Sequence, residues 1–131
     1  MITRHRFIFM LATLTLLATT TPGCSKNKSK NPTASGSTVT LNSGTLAAGT
    51  GEYVATFATA GGYPYHCNIH SGMQSTITVV ATGGLDSLVV QIVNASSSGF
   101  QAQAVGGVTN LHAGGYVHWH NVSAMAHTVN N

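Results

Sequence analysis

Fixed charge is scarce in this chain: of 131 residues, five are Lys or Arg and two are Asp or Glu. All five cations, Arg4, Arg6, Lys26, Lys28 and Lys30, precede Asn31, and the remainder carries only Glu52 and Asp86. The alkaline isoelectric point of about 9.1 therefore belongs to the N-terminal segment, and the rest offers no basic surface for DNA or RNA. One Glu, one Asp and no cation also leave few groups for acid, base or anion-clamping work, which argues against an enzyme. Sustained helical periodicity is absent, and so is an apolar run long enough to span a bilayer. Cysteine occurs only at positions 24 and 67. Each has a use other than a disulfide, so none is expected.

Residues 1–23 have the organisation of a secretory signal: Arg4 and Arg6, an apolar run over residues 7–18, then residues 19–23 leading to Cys24. With Gly23 before it and Ser25 after it, Cys24 stands where a bacterial lipoprotein signal has its lipid-modified cysteine, and the segment resembles a lipobox. Thr21 and Pro22 replace the Leu and small residue usual there. Lipidation of Cys24 is the expectation, with simple cleavage or an uncleaved anchor as the alternatives. Residues 24–37, rich in Lys, Asn, Ser, Gly and Pro, bury little apolar area and read as a flexible tether. The chain is thus expected to be exported to a bacterial periplasm or cell envelope and held at the membrane by lipid.

Residues 38–131 are rich in Val, Thr, Tyr, Gly and Ser in short alternating runs, which is an all-β pattern. Strands are predicted over 38–41, 52–58, 63–67, 75–80, 87–94 and 116–121, with a last one starting near His127. The glycine pairs at 61–62, 83–84, 106–107 and 114–115 punctuate them. Seven strands with turns between them predict a two-sheet sandwich. Alternation points Tyr63, Tyr65 and Cys67 inward and Pro64 and His66 outward. It also points Val117 and Trp119 inward, leaving His118 and His120 wet on the other side.

Cys67, His70 and Met73 put a thiol, an imidazole and a thioether within seven residues. Thiolate and thioether sulfur favour copper, and a Cys-His-His set with a long axial Met is the blue-copper electron-transfer geometry. The loop lacks only a second histidine. Zinc is disfavoured because methionine is not among its usual ligands.

Two blocks then carry a resemblance to the cupredoxins, the plastocyanin, azurin and amicyanin family, over most of residues 38–131. Residues 43–57, followed by Ala60-Gly61-Gly62-Tyr63-Pro64-Tyr65-His66-Cys67 and on to Val80, resemble the family's C-terminal half. Ala113-Gly114-Gly115-Tyr116-Val117-His118-Trp119 through Ala126-His127-Thr128-Val129 resembles its N-terminal half. The usual order of the halves is reversed, which implies a circularly permuted, Greek-key, cupredoxin-like sandwich in which residues 82–86 join the old ends. Exchange of halves between two chains in a swapped dimer, or a truncated tandem repeat, is the alternative to a permuted monomer.

The resemblance implies one type 1 copper ion bound by His127, Cys67, His70 and Met73, with Thr128 and Asn68 as hydrogen-bonding neighbours that orient the ligands. The compact CxxHxxM spacing is most similar to that of amicyanin, and Ser71 stands where the family often has proline. The resemblance also implies His70 as an electron port where redox proteins dock transiently. A one-electron carrier is the first expectation, and a copper-holding or copper-delivering protein the second.

Other soft side chains have plainer readings. His66 reads as a solvated strand histidine, His112 as a solvated loop histidine and Met125 as packing beside the site. His118 and His120, two apart on one strand face, form a polar stripe that could also capture a second metal ion with help from His112.

Overall fold

β-branched and aromatic residues between glycine-rich turns give six strands and no helix among residues 39–131, which are those that the computed structural model describes. The signal-like segment, the tether and Cys24 lie outside the described residues. The strands are β1 Glu52–Thr56, β2 Gly61–His66, β3 Gln74–Val80, β4 Leu85–Ile92, β5 Phe100–Ala102 and β6 Leu111–Asn121. They form a mixed sheet in the order β2-β3-β6-β4-β5, with β1 also paired to β6.

β2 and β3 form an antiparallel hairpin from Gly61↔Val79 to His66↔Gln74, so residues 67–73 become the hairpin loop. β3 and β4 both run parallel to β6, and both Val79 and Leu85 take Leu111 as partner. The chain between them therefore steps across the start of β6, with Gly83 and Gly84 at φ 68° and 93°, a region that L side chains disfavour. Along β4 and β6 the register then jumps from Leu85↔Leu111 to Ser87↔Tyr116. The extra β6 residues include Gly114 and Gly115, and a Cβ on Gly115 would lie 2.7 Å from the Asp86 carbonyl oxygen. This bulge re-aims β6 so that its second half pairs with β1, from Thr56↔Tyr116 to Glu52↔His120.

The core closes between the β2–β3 hairpin and the β6 region. Tyr65 meets Trp119 edge-on with ring centroids 5.5 Å apart and Phe100 at 4.7 Å, and Phe57 meets Tyr63 at 4.8 Å. Side-chain packing between β2 and β6, which are not hydrogen-bonded neighbours in the sheet, is consistent with a sandwich. Alternation reads the faces correctly: Tyr63, Tyr65, Cys67, Val117 and Trp119 are buried, and Pro64 and His66 are exposed.

Several expectations are corrected. Among the described residues, no strand forms over 39–41 or from His127 onward; Asn42, Leu46, His127 and Asn130 make isolated bridges instead. Side chains take over part of the ladder there. Asn131 accepts from Leu41 N–H through Oδ1 and donates to the Val39 carbonyl through Nδ2, and Ser43 Oγ accepts from Val129 N–H. β6 begins at Leu111 instead of 116, because the glycine pair read as a turn is a bulge inside one long strand. β5, within 96–108, is a short strand that the pattern does not predict. His118 and His120 are half-buried, not wet, because β1 and β4 flank them.

Candidate metal centre

The hairpin register sets the site. His66↔Gln74 is the last β2–β3 pair, after which Cys67 N–H donates to the Met73 carbonyl at 2.9 Å and Met73 N–H to the His70 carbonyl at 3.3 Å. Gly72, at φ 81°, supplies the left-handed turn that this tight closure needs. Cys67 and Met73 are buried at the base of the loop, while His70 is half-buried on its arch.

The fourth member arrives from the C-terminal segment, which lies between two others. His127 N–H donates to the Leu46 carbonyl at 3.1 Å and Leu46 N–H to the His127 carbonyl at 2.8 Å. On the other side His66 and Asn130 exchange two bonds of 2.8 and 3.0 Å. Held on both edges, the segment delivers a fully buried His127 to Cys67.

Cys67 Sγ lies 3.6 Å from His70 Nδ1 and 3.8 Å from His127 Nδ1. The three ligand atoms are all within 4.8 Å of one another. Metal–sulfur and metal–imidazole bonds of about 2.3 and 2.1 Å, opened by about 110–120°, span about 3.6–3.8 Å. Those separations fit three donors around one ion. The two imidazole rings have centroids 4.5 Å apart and are tilted by 45°. Burial holds the His127 pKa below its usual 6.5, and a charge on His70 would lower it further, so His127 is kept in the neutral, ligating form.

Thr128 sits where the sequence puts it. Its backbone N–H points at Cys67 Sγ at 3.4 Å, its Oγ1 lies 3.9 Å from the same sulfur, and Oγ1 also accepts from Asn68 N–H at 2.8 Å. Asn68 thus contributes through its backbone, while its side chain is exposed. Donors aimed at the sulfur orient it toward the two imidazoles. Met125 is 44% exposed, so it is not a packing residue beside the site.

Two residues escape the sequence reading. Asn121, fully buried, donates through Nδ2 to the carbonyls of Leu46, Ala47 and Met125 at 3.1, 2.9 and 2.8 Å. Its Oδ1 accepts from Ser123 N–H at 3.1 Å and Ser123 Oγ at 2.8 Å. Ser123 Oγ in turn lies 2.9 Å from His127 Nε2. The signal for Asn121 was present: Val117, Trp119 and Asn121 share one strand parity, so an amide stands at an inward position.

A buried thiol, two imidazoles and a neighbouring methionine form a group able to hold a metal ion. No family model, curated protein or solved structure matches this chain.

Proposed function

We propose that the chain is a blue (type 1) copper protein that carries single electrons outside the cytoplasm, with Cys67, His70 and His127 as strong ligands and Met73 as the weak axial thioether. The observation that carries this reading is the convergence of Cys67 Sγ with both Nδ1 atoms at spacings suited to one ion. The donor set selects copper, since a soft thiolate and thioether joined to two imidazoles suit it better than any hard cation. Bound there, copper would supply a one-electron couple.

The residues' part is to hold the donors still. Cys67 is fixed by its bond to the Met73 carbonyl, His127 by the Leu46 bridge, and the sulfur by Thr128. Ligands pinned from separate segments rearrange little when charge changes, which favours fast electron exchange. His70 is half-exposed, and Ile69 beside it is 49% exposed. This supports transient docking of redox proteins at that edge. A permuted monomer belongs to the same proposal, and gel filtration separates it from a half-swapped dimer. Export and lipid anchoring through Cys24 belong to the same proposal and rest on the sequence.

Voltammetry of the copper-loaded protein tests the reading. A reversible one-electron wave without metal loss is expected. Release of Cu(I) to a chelator on reduction would replace the carrier with a copper-delivery protein.

A further inference from the structure

A second cluster of metal-ligating side chains lies on the outer face of the sheet, away from the Cys67 hairpin loop. His118 and His120 alternate on β6, and Glu52 on β1 is the direct cross-strand partner of His120. The Glu52 carboxylate faces both imidazoles. His118 Nε2 is 3.4 Å from one carboxylate oxygen of Glu52, and His120 Nε2 is 3.9 Å from the other. The two rings are nearly parallel, at 15°, with centroids 6.3 Å apart. Neither separation is a good hydrogen bond, and His118 Nε2 is covered yet lacks any hydrogen-bond partner among the described residues. A covered nitrogen aimed at a carboxylate it does not bond leaves an unmet demand for a ligand.

From these residues we propose that Glu52, His118 and His120 bind a borderline divalent transition-metal ion, of which Zn(II) and Cu(II) are the expected members. Two metal–ligand bonds of about 2.1 Å at a tetrahedral angle span about 3.4 Å, the spacing found between His118 Nε2 and Glu52. A shared ion draws the 57% exposed Glu52 side chain toward His120 and turns the two imidazoles, with centroids 6.3 Å apart, toward each other. Two imidazoles and one carboxylate leave a fourth position for water or an incoming ligand. Val54 and Val89 flank His118 on either side and Gln91 faces His120, so among the described residues no cation opposes the ion there. His112 does not join: it lies before the Gly114–Gly115 bulge and pairs with Val80. Hard cations such as Mg(II), which prefer all-oxygen shells, are excluded by the same donor set.

Zn(II) titration of the full chain, followed by the imidazole nitrogen resonances in long-range proton–nitrogen spectra, tests this. Resonances of His118 and His120 should shift together and saturate at one equivalent for this site, and Mg(II) should leave them in place. Glu52→Gln, His118→Gln and His120→Gln should each weaken that binding at least about tenfold with the thermal midpoint little changed. Unmoved His118 and His120 resonances in excess Zn(II), or an affinity indifferent to Glu52→Gln, would overturn the proposal. His70 and His127 report separately in the same spectra, so failure here is distinct from failure at the Cys67 centre.

Discussion

His127 Nε2 and Ser123 Oγ lie 2.9 Å apart, and the partners of that hydroxyl decide which way the proton goes. Ser123 Oγ donates to Asn121 Oδ1 at 2.8 Å or to the Met125 carbonyl at 3.0 Å, and both are acceptors only. The hydroxyl must then accept from His127, which fixes the proton on Nε2. Nδ1, the atom facing Cys67, is left with its lone pair free. A serine four residues upstream thus selects the tautomer that can ligate.

Ser123→Ala strands the His127 N–H and takes one of two bonds from Asn121 Oδ1. A loss of about 1–3 kcal/mol in stability is expected by chemical denaturation. Copper affinity should fall about 10–100-fold in competition with a chelator. Unchanged affinity would show that Ser123 does not hold the tautomer.

Gly99 is the seat of Met73. A Cβ there would approach Met73 Cε to 2.7 Å and collide with the Asn94 carbonyl. Gly99→Ala should cost about 1–3 kcal/mol through overpacking and should shift the reduction potential of the copper form by displacing the thioether. Gly62→Ala is the control, since its nearest atom is 3.8 Å away. It should be neutral or stabilising by up to about 1 kcal/mol. Equal behaviour of the two variants would contradict the contact.

The apoprotein should lose stability on acidification through the histidine range. His127 titrates below 6.5 when folded, because burial and then the His70 charge oppose its protonation. Above 6.5 both folded and unfolded chains are neutral at this position. Below it the unfolded chain takes up a proton that the folded one refuses, and the loss grows until pH reaches the folded pKa. Denaturant midpoints at about pH 7.5 and about pH 5.5 check the sign, with His127→Gln expected to flatten the slope. A midpoint that rises on acidification and responds to His127→Gln would contradict it.

Much of this site can be read from residue order. Period-two alternation buries Tyr63, Tyr65 and Cys67 and sets His118 and His120 opposite Trp119. The CxxHxxM spacing survives as a hairpin loop because β2 and β3 pair up to its two ends. What is not legible depends on partners distant in sequence. Gly114-Gly115 looks like a turn until β4 is seen to run alongside it, and a bulge and a turn use the same residues. The outer segments near Leu41 and Val129 fail as strands because Asn131 and Ser43 side chains compete for their backbone groups. Ser123 looks like any loop serine, since its value lies in a contact with His127 that no local pattern marks.

Met73→Leu separates the axial position from the other three donors. The variant keeps the buried volume and Cys67, His70 and His127. It should retain the thiolate-to-copper absorption while shifting the reduction potential. Loss of colour would make Met73 a principal ligand, and an unchanged potential would remove it from the set.

The most direct measurement is visible absorption of the full chain on addition of Cu(II), for the native sequence and for Cys67→Ser. The arrangement of Cys67, His70 and His127 predicts an intense thiolate-to-copper band that saturates with that site at one equivalent and is absent from Cys67→Ser. A colourless native protein, or a band that persists without the Cys67 sulfur, would contradict the copper centre.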